Sequence, residues 1–223
     1  MRPHALLLLL VLASRSVTVP NHASAQSVGS SDRPVARGWE FDAWVGAGIS
    51  VVVRPLGGVP NRQLLLGGVS AAHPLSAGHR VALSYFAEWL PVAVSTRTPR
   101  SEGVWLYSWG RFDSLFAPGS DRRGPVPGMG LVPLGLRGSA TLGHVAAFAE
   151  VAGGAVAFTS KVPDPECRRH NFLAIAGLGV RLSRRPGAAP VVGYRFVHLS
   201  NAHTARRNPG LNAHLAYVGV AAR

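Results

Sequence analysis

The chain of 223 residues carries 23 Lys and Arg against 10 Asp and Glu, a formal net charge of +13, and one cysteine, Cys167. A single cysteine leaves no intramolecular disulfide, and its polar surroundings mark it as an incidental loop thiol. Beyond a short apolar run near the start, no uninterrupted apolar stretch reaches the roughly 18 residues a spanning helix needs, so a helical membrane anchor is not expected.

Residues 1–25 have the layout of a cleavable secretory signal: Arg2, an apolar run at 5–13, then Ala23, Ser24 and Ala25 before Gln26. Cleavage near Ala25 would remove Arg2 and Arg15 and leave a chain that is still strongly basic. Residues 26–38, with Ser, Gly and Pro, read as a flexible leader, and 39–223 as a single β domain. From 39 to 53, Trp39, Phe41, Ala43, Val45, Ala47, Ile49, Val51 and Val53 alternate with Glu40, Asp42, Trp44, Gly46, Gly48 and Ser50. That predicts a strand of about fifteen residues, longer than soluble domains usually use and suited to a membrane barrel.

A turn at 54–61 leads to a weaker second strand at 62–73, and 74–78 turns the chain into a third. There Val81, Leu83, Tyr85, Ala87 and Trp89 form one face, while Arg80, Ala82, Ser84, Phe86 and Glu88 form the other. A charge facing lipid near the midplane costs roughly 2 to 4 kcal/mol, so Arg80 and Glu88 should face a lumen, with Trp89 near an interface. Residues 91–127 read as a long irregular loop with a possible short strand at 104–109. A fourth strand is expected at 129–140, bulged by Pro133; a fifth at 144–159, with Glu150 in its middle; and a clean sixth at 171–182. The last hairpin has a strand at 192–200, a turn at Asn208, Pro209 and Gly210, and a returning strand at 211–220.

Eight alternating strands in an exported chain predict an all-β, eight-stranded antiparallel up-and-down outer-membrane β-barrel with both ends in the periplasm. A soluble periplasmic barrel holding an apolar ligand in its lumen is the rival architecture. If the first strand runs upward, the loops after strands one, three, five and seven lie outside. The basic excess then suits the phosphates of lipopolysaccharide in the outer leaflet, and not nucleic acid, because arginine pairs well with phosphate. A high-arginine genome would give the same excess.

His198 and Ser200 stand two apart on the seventh strand, on one face and about 7 Å apart along it. Tyr194 and Phe196 share that face while Arg195 points to the lumen, so the pair faces the outer leaflet. Serine is a weak nucleophile until a base takes its proton, and histidine suits that task near neutral pH. A chance His-Xaa-Ser on a strand is common, and what raises this instance is its surroundings.

Tyr194-Arg195-Phe196 before the histidine, Ser200-Asn201-Ala202, and Asn208-Pro209-Gly210 together resemble the signature of the lipid A 3-O-deacylase (PagL-type) family. Residues 132–137, 153–163 and 170–173 also look like its members. The resemblance implies an eight-stranded barrel that hydrolyses the ester of the 3-hydroxyacyl chain at position 3 of lipid A, with no cofactor or metal. Carried over by motif, Ser200 is the nucleophile and His198 the general base. The Asn208 side chain and the His203 backbone N–H are the oxyanion donors, and Asn201 supports the turn. Asn212 falls where the best-studied form of the motif has a glutamate orienting the histidine. An asparagine can hold the imidazole tautomer but stabilises the imidazolium less, so Glu150 from another strand is a second candidate for the acid. His203 and His214 lie near His198 without the carboxylate or thiolate companions a metal site would want. Two functions stay open: a deacylase, or a catalytically silent barrel that binds lipopolysaccharide or serves structurally. The oligomeric state is open too, a homodimer being one option.

Overall fold

The computed structural model describes residues 38–54, 56–78, 80–97, 104–108, 111–115, 124–163, 167–182 and 187–222. The expected signal at 1–25 and all of the leader except Gly38 lie outside them. The described residues fall in one compact unit, Pro34–Arg223. Ten strands follow in order: β1 Glu40–Val51, β2 Arg62–Ala77, β3 Val81–Arg97, β4 Val104–Ser108, β5 Arg111–Leu115, β6 Val126–Leu142, β7 Val145–Val162, β8 Arg168–Leu182, β9 Ala189–Ser200 and β10 Leu211–Ala222. Eight of them close an antiparallel barrel in the order β1-β10-β9-β8-β7-β6-β3-β2, and β4 and β5 form a separate hairpin. Closure follows from β1 pairing with β2 on one side and β10 on the other, which leaves no free sheet edge.

The period-two alternation sorts the side chains as the sequence requires. Phe41, Val45 and Ile49 of β1 are exposed on the outer wall while Asp42 and Trp44 are buried inside. Leu83 and Trp89 of β3 point out while Phe86 and Glu88 point in, and on β8 Phe172 and Leu178 face out while Leu173 and Ile175 face in. An apolar exterior on a closed barrel is the reverse of a soluble protein's surface and matches a wall in contact with lipid. No helix among the described residues is long and apolar enough to cross a membrane, and the crossing elements are strands. The fold is therefore the eight-stranded outer-membrane barrel.

Several expectations change. Residues 91–127 are not one irregular loop: β3 runs on through Pro91 to Arg97, β4 and β5 pair as a hairpin, and β6 starts at Val126. Proline cannot donate to the ladder, and the sheet accommodates it with a register shift between Leu90 and Ala93. Trp89 consequently stands midway along β3 instead of near its end. In the same way β2 continues past Pro74 by a shift between Pro74 and Ser76. The bulge expected at Pro133 is present, as a shift between Leu131 and Leu134. Arg80 is exposed in the turn before β3, and Glu88 alone of that pair reaches the lumen. Cys167 is buried at the foot of β8, not on an open loop.

The lumen is filled by an ion network. Arg195, 1% exposed, contacts Glu88 through both terminal nitrogens (3.0 and 3.1 Å) and Glu150 through Nε (2.7 Å). Arg137 reaches the other Glu150 oxygen at 3.0 Å and Asp42 at 2.5 Å, while Arg181 pairs with Glu40. The Trp44 indole N–H donates to Glu88 at 2.9 Å, and the Arg195 guanidinium lies 4.2 Å from the Trp44 ring centre and 5.1 Å from that of Tyr217. The Tyr217 ring is admitted by Gly193, where a Cβ would lie 2.5 Å from it. Among the described residues, small cavities of about 50 and 10 Å³ lie between these groups.

Arg195→Met should strand the carboxylates of Glu88 and Glu150 and cost about 3 to 5 kcal/mol, read from the urea unfolding midpoint in detergent micelles. The triple replacement of Arg195, Glu88 and Glu150 by apolar residues of similar size should recover most of that loss.

Candidate active site

β9 ends and β10 begins at the same rim of the barrel, joined by residues 201–210. Their register sets His198 directly opposite Asn212 and Phe196 opposite His214, and the next strand sets Ser200 opposite Phe172. Because Val197, Leu199, Leu211 and Ala213 are buried inward, their neighbours His198, Ser200 and Asn212 take the outward face. The three residues thus share the outer wall just below the rim, with His198 against Asn212.

The His198 Nδ1 and the Asn212 Oδ1 lie 2.6 Å apart, and the Asn212 Nδ2 donates to the Gly57 carbonyl at 2.7 Å. A carbonyl only accepts, so the amide nitrogen must face Gly57 and the amide oxygen must face the histidine. An amide oxygen in turn requires a donor, which puts the proton on Nδ1 and leaves Nε2 with a free lone pair. The imidazole is held in the tautomer a general base needs.

Ser200 Oγ sits in a cradle of donors. Asn208 Nδ2 lies 2.9 Å away and the Ala202 backbone N–H 3.1 Å away. The Asn208 amide is itself oriented, because the Asn201 N–H donates to its Oδ1 at 3.0 Å, and that Oδ1 lies 3.1 Å from Ser200 Oγ. Asn201, buried, ties the loop together: its Nδ2 donates to the Arg207 carbonyl at 2.7 Å, and its own carbonyl accepts from the Thr204 N–H and hydroxyl at 3.0 and 2.7 Å. Arg168, at the start of β8, donates to the Thr204 carbonyl from Nε (3.0 Å) and a terminal nitrogen (2.6 Å), anchoring the loop to the adjacent strand.

Ala202 and His203 have left-handed backbones, φ 49° and 59°, and His203 is exposed at the turn. His214 stands outward one step below Asn212, with its Nδ1 2.5 Å from the Tyr194 hydroxyl and its ring against Phe196, so it is engaged away from His198. Among the described residues no group of His, Cys, Asp and Glu is arranged to hold a metal ion. Glu150 is not the missing acid: it lies on the inner side of the wall, bound by Arg137 and Arg195. The sequence does not mark the parts played by the Gly57 carbonyl, the Ala202 N–H and Arg168, and it marks Gly210 only as part of the turn motif. Of these only the Ala202 part was open to local inference, since a serine hydroxyl commonly accepts from the N–H two residues on.

Gly210 closes the site from the turn. Its φ is +72°, and a Cβ there would lie 3.4 Å from His198 Cε1. Gly210→Ala should lower stability by roughly 1 to 2 kcal/mol through left-handed strain, seen as a lower denaturation midpoint.

A model of the family described as lipid A 3-O-deacylase (PagL) matches residues 78–221. Among solved structures, the outer membrane enzyme PagL superposes with a TM-score of 0.54 at 14% identity, covering 80% of this chain and 97% of that one. The Neisserial surface protein A (NspA) gives a TM-score of 0.45 at 11% identity, over 82% of this chain and 96% of that one. No curated protein matches the chain.

Proposed function

Because the chain belongs to the lipid A 3-O-deacylase (PagL) family, we propose that it is an outer-membrane serine esterase that hydrolyses the ester-linked 3-hydroxyacyl chain at position 3 of lipid A. The observation that carries this reading is the 2.6 Å contact of His198 Nδ1 with Asn212 Oδ1 beside a serine whose oxygen accepts from two donors.

In the first step Ser200 Oγ attacks the ester carbonyl while His198 Nε2 takes its proton. The negative charge that develops on the carbonyl oxygen is met by Asn208 Nδ2 and by backbone N–H groups of the 201–203 turn, with His203 and Ala202 as the donors. Collapse breaks the bond to the sugar oxygen, which leaves with the proton held by His198. Water, deprotonated by the same nitrogen, then attacks the acyl-serine, releases the 3-hydroxy fatty acid and restores Ser200. Asn212 holds the imidazole throughout and Asn201 keeps the turn in shape. Lipid A would reach the site from the outer leaflet, and neither a metal nor a cofactor takes part. Residues 1–25 would direct export and be cleaved off during it.

Asn212 in place of a carboxylate favours a second reading, a catalytically silent barrel that retains lipopolysaccharide binding. One experiment separates them. Incubated with lipid A in detergent, the wild type should remove one 3-hydroxyacyl mass by mass spectrometry. Ser200→Ala should be at least about a thousandfold slower with its heat-modifiable barrel intact, and Asn208→Ala about a hundredfold slower. Wild type inert on several lipid A types would sink the esterase and leave the silent barrel.

A further inference from the structure

We propose that the Gly57–Gly58 turn of the β1–β2 loop is a positioning element for His198, acting through Asn212. The consequence for rate rests on the esterase reading above; the consequence for the imidazole tautomer does not.

Asn212 is fully buried, so its amide has no water to turn toward. Its orientation is decided by the neighbour that can only accept, the Gly57 carbonyl at 2.7 Å. The flipped amide would set two oxygens against each other there and present an NH₂ to His198 Nδ1. That would force the proton onto Nε2, the nitrogen that must be free to accept from serine. A carbonyl in a loop 155 residues away in sequence thus chooses which histidine nitrogen is the base.

The loop is built to hold that carbonyl still. The Val53 N–H donates to the same Gly57 oxygen at 2.9 Å, closing a small bridge. Ser50 Oγ donates to the Val59 carbonyl at 2.6 Å and accepts from the Arg62 N–H at 2.8 Å, and Val59 is buried. Gly57 and Gly58 have φ of 75° and 139°, which L side chains rarely adopt. A Cβ at Gly58 would lie 2.5 Å from the Val51 carbonyl oxygen and 2.9 Å from Asn212 Nδ2, so even the smallest side chain must displace the loop or the amide. The arrangement also suits asparagine in particular. A carboxylate at position 212 would turn an oxygen toward the Gly57 carbonyl, where the amide now donates.

The test is ¹⁵N NMR of histidine-labelled protein refolded in micelles, at a pH where imidazole is neutral, with deacylation rates measured in parallel. Wild-type His198 should carry its proton on Nδ1. Gly58→Ala and Asn212→Leu should each bring in the Nε2–H form, and Gly58→Ala should lower kcat about tenfold or more at unchanged KM. Asn212→Glu should be no faster than wild type. Should wild-type His198 be protonated on Nε2, the proposal is overturned without any variant. A folded Gly58→Ala with the wild-type tautomer overturns it as well, and so does an accelerated Asn212→Glu. Tautomer changes as expected in a protein inert toward lipid A would keep the positioning role and reject the esterase.

Discussion

Everything in this barrel depends on keeping its charges paired in the lumen. Glu40 and Asp42 on β1, Glu88 on β3 and Glu150 on β7 lie far apart in sequence, and Arg137, Arg181 and Arg195 knit them together across the interior. A buried pair of this kind adds little net stability, yet breaking one costs a great deal. Its effect is to fix register. Slipping one strand by a single residue would turn Glu88 or Arg195 toward lipid and bring Trp89 or Phe196 inside. The same parity that keeps Arg195 inside places His198 and Ser200 outside, so the ionic interior and the outward site are two results of one constraint.

On that fixed wall the site is assembled from short pieces. β9 supplies His198 and Ser200, β10 supplies Asn212, and a ten-residue loop supplies Asn208 and the turn N–H groups. Arg168 of β8 ties the loop down from the side. The other contacts are made by short Asn and Ser side chains with each other, with His198 and with backbone, and these lose little rotamer freedom. What the asparagine lacks is charge. It can dictate a tautomer but cannot balance an imidazolium as a carboxylate would, so the proposed esterase would lean more on the donors around Ser200 Oγ.

Much of this was legible in the sequence because barrel strands write both faces into the chain. The alternation in β1, β3 and β8 and the placement of His198 with Ser200 follow from period two alone, whereas the chain turns at Ala202 and His203 and not at Asn208-Pro209-Gly210 as expected. The expectation of a long loop at 91–127 fails because Pro91 reads as a stop, as Pro74 does for the second strand, whereas a barrel absorbs a missing donor by shifting register one place. Pro133, read as a bulge, was treated by the rule that applied to all three. Glu150 was offered as a partner for histidine because sequence distance carries no information about which side of the wall a residue faces across strands. Gly57 and Ala202 act through backbone atoms, which every residue has, and so leave no mark in composition.

The position of His198, Ser200 and Asn212 on the outside of the barrel would give the proposed esterase a particular kinetic character. A group embedded in the outer wall would meet its reactant by sideways diffusion within a film two molecules thick. The quantity that would govern turnover is then the surface fraction of the reactant among its neighbours, not its amount in solution. Dilution of the whole suspension would leave such a rate unchanged, whereas diluting the film with an inert lipid would lower it.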